Sequence, residues 1–280
     1  MTGYIQLSNR DREAVVELLS RRPEGNIILL NNIHVFGMDP GITPFHGDYF
    51  GKSDADGLIA AGAFFNLGSL FFHAVDDAAL DGLAGCLEGI GRVPRFLNGP
   101  AAQVDKLVES LFAGTGRALK VEDSDLMVLR VPAGEGQVGG GARRARAQDV
   151  DEMFEMARLF EDELFGGEIE DESSLHELVV YQVQKGAASV VELGGVLVSK
   201  AEATVLEGVG AHLGGVYTRR EYRGSGHSTR CMVDLCRRLL AVAPLVSLTA
   251  HKENYPAIAV YRKIGFAKVA DWKTAAVISG

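Results

Sequence analysis

Between Gly214 and Thr229 the chain reads GGVYTRREYRGSGHST, an order of residue types that fits a strand running into a turn that opens a helix. Val216, Tyr217 and Thr218 have the β-branched and aromatic character of a strand end, Gly224 and Gly226 let the backbone reverse without a Cβ penalty, and a helix is predicted from Ser228 to Val242. At such a turn successive N–H groups point outward at the positive end of the helix dipole. There an anion such as a pyrophosphate is held without any cationic side chain. A second constellation follows in NYPAIAVYRKIGF, where Asn254, Ala257, Tyr261, Gly265 and Phe266 stand on a predicted helix from Pro256 to Ile264. Asn254 and Tyr261 are seven residues apart, about two helical turns, so both can line one groove. A phenol near its ordinary pKa of ~10 is protonated at neutral pH and can return a proton to a leaving group. The other reading of Tyr261 is a ring that packs beside a bound arm. Asn254 likewise has two readings, an amide that pairs with ligand amides and a helix cap, since Pro256 suits a first helical turn.

Together the two motifs resemble the GNAT superfamily of N-acetyltransferases, whose phosphate loop follows Arg/Gln-x-x-Gly-x-Gly/Ala and whose later helix carries an Asn and a Tyr at this spacing. Arg223 and Gly226 match the pattern, and Ser228 replaces its final Gly or Ala with a residue still small enough for a phosphate to approach. The resemblance implies acetyl-CoA as cosubstrate and direct transfer of the acyl group to an amine, on a small molecule or a peptide. It implies that Arg223, Gly224, Ser225, Gly226, His227, Ser228 and Thr229 hold the pyrophosphate. The backbone of Val216, Tyr217 and Thr218 would take the pantetheine arm as an added strand. Asn254 would pair with the pantetheine amides, and Tyr261 would protonate the departing thiolate. The alternative function is a non-catalytic acyl-CoA-binding sensor or regulatory protein, in which the turn is kept and turnover is not.

The general base stays open: His212 and His251 have suitable ordinary pKa values, and Glu202, Glu207 and Glu253 can relay a proton through water. His227 and Cys231 share a helix face four residues apart, but two ligands are too few for a metal site, and none is expected.

Net charge of −9 argues against nucleic acid as a partner, which needs a basic face to neutralise phosphates. The short cluster Arg143, Arg144 and Arg146 reads as a solvated strand edge. No apolar run reaches the ~20 residues of a membrane span. The first residues lack the basic start and apolar core of a secretion signal, and three cysteines form no CxxC pair; both features predict a cytoplasmic protein.

Five glycines in Pro132–Ala142 predict a linker, and the literal GxGxxG within it, Gly134, Gly136 and Gly139, has no helix to open. After it come a strand at 143–147, helices at 149–165 and 173–185, strands at 188–193, 196–203 and 209–218, the two motif helices separated by a strand at 244–250, and closing strands at 266–278. The first half repeats this order faintly, with helical pieces at 10–19, 25–35, 77–90 and 101–112, and strands at 4–7, 57–65 and 69–74. It has no counterpart of the glycine turn. It resembles a degenerate acetyltransferase-like domain, the other reading being an unrelated α+β domain. The expected architecture is α+β, two tandem acyl-CoA N-acyltransferase-like domains (1–131 and 143–280), each a mixed, mostly antiparallel sheet flanked by helices. The first half would shape the acceptor pocket or a homodimer interface.

Overall fold

A computed structural model describes residues 3–115, 117–131, 141–165 and 172–278. In chain order the elements are β1 (Ile5–Leu7), α1 (Arg12–Ser20), α2 (Pro23–Phe36), β2 (Gly47–Ser53), β3 (Leu58–Phe65), β4 (Ser69–Ala74), α3 (Leu83–Ile90), β5 (Phe96–Pro100), α4 (Ala101–Phe112), β6 (Ala118–Leu129), β7 (Ala142–Arg144), α5 (Val150–Phe165), α6 (Glu172–Gln184), β8 (Ala188–Leu193), β9 (Val196–Leu206), β10 (Gly210–Thr218), α7 (His227–Leu240), β11 (Val246–His251), α8 (Tyr255–Ile264) and β12 (Ala267–Ile278). The glycines Gly134, Gly136 and Gly139 lie outside the described residues.

These residues gather into two compact units. The first holds the chain up to Leu126, Ala250–Glu253 and the residues from Lys268 on; the second holds Met127–Thr249 and Asn254–Ala267. In the first unit β1 to β4 form an antiparallel run, β4 pairs parallel with β5, and β12, the last strand in sequence, lies antiparallel to β5 with Trp272 opposite Pro100 and Ala276 opposite Phe96. Phe50, Phe64, Leu70, Leu83, Leu97 and Leu107 lead its core. Sequence patterning misses β2. Its glycines interrupt the alternation, yet they are what the sheet requires: a Cβ on Gly47 would stand 2.6 Å from the Phe64 carbonyl oxygen, and one on Gly51 2.7 Å from Leu7. The helix expected over 77–90 is split, because Gly82 takes φ +92° between a short 3-10 turn at Ala78–Leu80 and α3.

In the second unit β7, β8, β9 and β10 run antiparallel in order, and β11 joins β10 in parallel. Alternation along β8 turns Ala188 and Val190 toward α5 and α6, where they meet Met153, Met156, Val179 and Tyr217. Ser189 points the other way and bonds Asp234 of α7. Helix α7 buries Cys231, Met232, Leu235, Cys236 and Leu239 against the sheet, each large apolar side chain contributing about 1.5–3 kcal/mol. Arg238 fixes its register by donating to the Ala188 carbonyl (3.0 Å) and the Ser189 hydroxyl (2.6 Å). The arginine cluster is only partly a solvated edge. Arg144 and Arg146 are exposed, whereas Arg143 grips the buried Asp149 through two bonds of 2.7 and 2.9 Å and Glu192 at 2.6 Å.

Candidate functional site

Strand β10 leads through a 3-10 turn at Arg220–Tyr222 into Arg223, which is extended (φ −68°, ψ 158°). Gly224 (φ +78°) and Gly226 (φ +76°) then reverse the chain in the left-handed region. Gly226 is the N-cap of α7, and the helix opens at His227, one residue earlier than its sequence signals suggest. Ser228 therefore lies inside the first turn and caps nothing. Among the described residues no side chain accepts the first N–H groups of the helix, which leaves their donors for a ligand. Arg223, Gly224, Ser225 and Gly226 are exposed, Ser228 is half-buried, and His227 and Thr229 are buried. A Cβ on Gly224 or Gly226 would meet no atom within 4 Å. These glycines serve the backbone angle and leave open space over the turn. Beneath it, Nδ1 of His227 is buried without a hydrogen-bond partner.

Arg223 braces this turn from the side. Its Nε donates to the Thr218 carbonyl at 3.0 Å, one terminal nitrogen donates to both oxygens of Glu163 at 3.0 and 2.7 Å, and the guanidinium lies 5.5 Å from the Tyr217 ring centre. The same carboxylate accepts from Arg220 Nε (2.8 Å) and the Tyr217 hydroxyl (3.0 Å). Burial works to raise the Glu163 carboxyl, but the bonds from Arg223, Arg220 and Tyr217 win and hold it below the usual carboxylate range. Sequence reasoning missed Glu163: an acidic residue on a different helix, far from the motif, carries no spacing signal.

The side chain of Tyr217 is buried in the core under α5, with its ring 6.5 Å from that of Phe160, so only its backbone is left to the groove. The Thr218 hydroxyl is bonded to that of Ser199 at 2.8 Å. Val216 is half-buried. Pairing of β10 with β9 slips between Gly214, opposite Glu202, and Tyr217, opposite Lys200, and Gly215 inside this bulge takes φ +57°. On the other edge the parallel register with β11 ends at Leu213 opposite Leu248, while β10 runs on to Thr218. The backbone of Gly214–Thr218 is thus left without a β11 partner and leads directly into the glycine turn.

Helix α8 supplies the second constellation and packs against α7. Asn254 is its N-cap, Oδ1 accepting the Ala257 N–H at 3.2 Å, and Gly265 ends it at φ +111°. Tyr261 is half-buried with its ring 6.2 Å from that of Phe266, and burial pushes the phenol up to about 12. Of the base candidates, His212 is bonded to Ser247 at 2.9 Å and held neutral by burial, which pushes it down to about 4. Glu207 is exposed at the far end of the β9–β10 hairpin, and His251 and Glu253 belong to the first unit. Glu202 is buried in an ion pair with Lys200. Among the described residues no group of three His, Cys, Asp or Glu side chains is placed to hold a metal ion, and no helix is long and apolar enough to cross a membrane.

The first unit shows the same strand order with a different end. After β4 the chain carries Asp76, Asp77 and Asp81 where the second unit has its glycines; Asp76 accepts the Ala79 N–H at 2.8 Å, and Lys106 pairs with Asp81 at 2.6 Å. Gln103 bonds the Ala74 carbonyl at 3.1 Å, and Phe72 lies so near Gly99 that a Cβ there would be 2.7 Å from its ring. Carboxylates repel a phosphate, so this turn does not suit a pyrophosphate.

The family model described as Acetyltransferase (GNAT) family matches residues 151–266. The whole chain is similar in fold to a Drosophila protein of known structure (TM-score 0.72, 14% identity, 98% of each chain covered) and to a GCN5-related N-acetyltransferase from Sphaerobacter thermophilus (TM-score 0.63, 17% identity, 99% of this chain and 96% of that one). A tandem GNAT protein from the clavulanic acid biosynthesis pathway aligns over 99% of this chain and 98% of its own, with a TM-score of 0.56 and 14% identity. No curated protein sequence matches the chain. The tandem α+β architecture expected from the sequence is therefore the fold of the protein, and residues 151–266 form a domain of the acetyltransferase (GNAT) family.

Proposed function

We propose that the protein is an acetyl-CoA-dependent N-acetyltransferase that moves the acyl group directly from CoA to an amine on a small molecule or peptide. The observation that carries this reading is the stretch Gly214–Thr218, which runs on beyond the end of the β11 pairing into the turn at Gly224 and Gly226. An extended pantetheine arm can add to that edge as a strand, with its pyrophosphate over the turn Arg223–Thr229 and on the N–H groups that follow Arg223, whose own N–H is bonded to the Arg220 carbonyl. Asn254 spends Oδ1 on its own helix and keeps its N–H groups for the pantetheine carbonyls. Tyr261 keeps its proton at neutral pH, as an acid for the departing thiolate must. CoA binding belongs to the second domain alone, because the corresponding turn of the first is acidic. Incubation of acetyl-CoA with amines, amino acids and peptides, read by thiol release, tests the reading. Binding of acetyl-CoA without thiol release above background would instead make the protein an acyl-CoA sensor.

A further inference from the structure

This inference rests on the acyl-transfer reading and names the group that takes up the acceptor's proton. The slip in β10 lies opposite two charged residues of β9, Glu202 facing Gly214 and Lys200 facing Tyr217. They form an ion pair of 2.6 Å, with side-chain exposures of 0% for Lys200 and 5% for Glu202. The pair sits directly under the bulge: a Cβ on Gly215 would collide with Oε2 of Glu202 and come within 3.3 Å of Lys200 Nζ. Lys200 takes Oε2, while Oε1 is shut from solvent and has no hydrogen-bond partner. A buried carboxylate oxygen left unpaired is costly, and its retention calls for a role.

Little else competes for that role. Glu202 is flanked by Ala188 on β8 and Gly214 on β10, and α5 and α6 cover this face with apolar side chains such as Met153 and Val179. The titratable neighbours on the face are Lys200, Tyr217, whose hydroxyl is engaged by Glu163, and His212, which burial keeps neutral. Burial also raises the Glu202 carboxyl above its ordinary range, against the pull of Lys200, and so makes it a stronger base than an exposed carboxylate.

We propose that Glu202 is the proton acceptor of the transfer reaction and that Lys200 is the positioning residue that holds it under the bulge. The alkylammonium passes one proton through a bridging water to Oε1, leaving a carboxylic acid beside Lys200, and the freed amine nitrogen bonds to the thioester carbonyl carbon. As the C–S bond breaks the thiolate takes the Tyr261 proton, and the second proton of the nitrogen reprotonates the phenolate. Glu202 then releases its proton to solvent, so the enzyme ends as it began and one proton is set free per turnover. Such a base serves an acceptor that does not shed its proton unaided, which points to primary alkylamines over weakly basic arylamines.

The test compares wild type, Glu202→Gln and the double variant Lys200→Met/Glu202→Gln, using acetyl-CoA with glycine, lysine, spermidine and 2-phenylethylamine. Thiol release is followed from about pH 6 to about pH 10, and folding by circular dichroism and by the thermal shift with acetyl-CoA. Both variants should keep the acetyl-CoA shift and lose about 10²-fold or more in kcat/KM near neutral pH, the loss shrinking as pH rises and the amine deprotonates itself. The double variant shows that the loss does not come from a stranded lysine. A loss equal at every pH, an undiminished rate in Glu202→Gln, or failure of both variants to fold would overturn the proposal and leave the pair a structural one. Wild type that acetylates none of the four amines would overturn the transfer reading for these acceptors and this proposal with it.

Discussion

Arg223 grips both carboxylate oxygens of Glu163, at 3.0 and 2.7 Å, and thereby fastens the head of the glycine turn to α5. An arginine that the motif alone assigns to the ligand is, in the fold, first a brace for the backbone that would meet the ligand.

Glu163→Gln should therefore loosen the turn without unfolding the protein. Acetyl-CoA affinity measured by calorimetry should fall about tenfold, or ~1.4 kcal/mol. Because the Glu163 carboxyl is held below its ordinary value, the brace is present at neutral pH and is lost as pH falls through that lowered value. Unchanged affinity in the folded variant would show that the turn holds its shape unaided.

Gly226→Val tests the turn itself. A Cβ there would meet no described atom within 4 Å, but φ +76° strains a β-branched residue, so a loss of about 1–2 kcal/mol in stability is expected. Acetyl-CoA binding should weaken far more than this strain accounts for, since the new side chain occupies the space over the helix N–H groups. Calorimetry beside a thermal melt separates the two effects.

For Tyr261→Phe, the acid reading predicts a fall in kcat of about 10²- to 10⁴-fold with acetyl-CoA affinity nearly unchanged, provided that chemistry limits turnover. The packing reading predicts almost no fall. With the phenol pushed up to about 12, its ionisation should not cut activity at moderately alkaline pH. An alkaline limb well below that value, shared by both proteins, belongs to another group.

Asp149 gives a pH-dependent contribution to stability. The bonds from Arg143 hold its carboxyl below the ordinary range despite burial, so its stabilisation is complete above the unfolded pKa of ~3.9 and is lost as pH falls through the lower folded value. Asp149→Asn should cost about 1–3 kcal/mol at neutral pH, discounted from a fully buried pair because Arg143 is partly exposed. Denaturant unfolding at neutral and acid pH should show the gap between variant and wild type closing in acid.

Much of the fold was legible in the sequence because its signals are local. The strands at Ala188–Leu193 and Ser69–Ala74 and the helix at Ala101–Phe112 have the bounds that periodicity predicts. The glycine turn was legible too, since positive φ at Gly224 and Gly226 is a demand on single residues. What only the tertiary structure decided depends on residues distant in sequence. Strand β2 hid behind glycines whose need comes from the close backbone and side chains around it. β12 reads as a strand wherever it goes, and nothing in its pattern says that it will pair with Phe96–Pro100. Glu163 gains its place from the folding of α5 beside the turn, and Lys200 and Glu202 become a buried pair only when the bulge at Gly215 opens room for them. A sequence states the conformational preferences of each residue; which carboxylate ends up under which backbone is set by packing, where burial turns an ordinary side chain into a brace or a base.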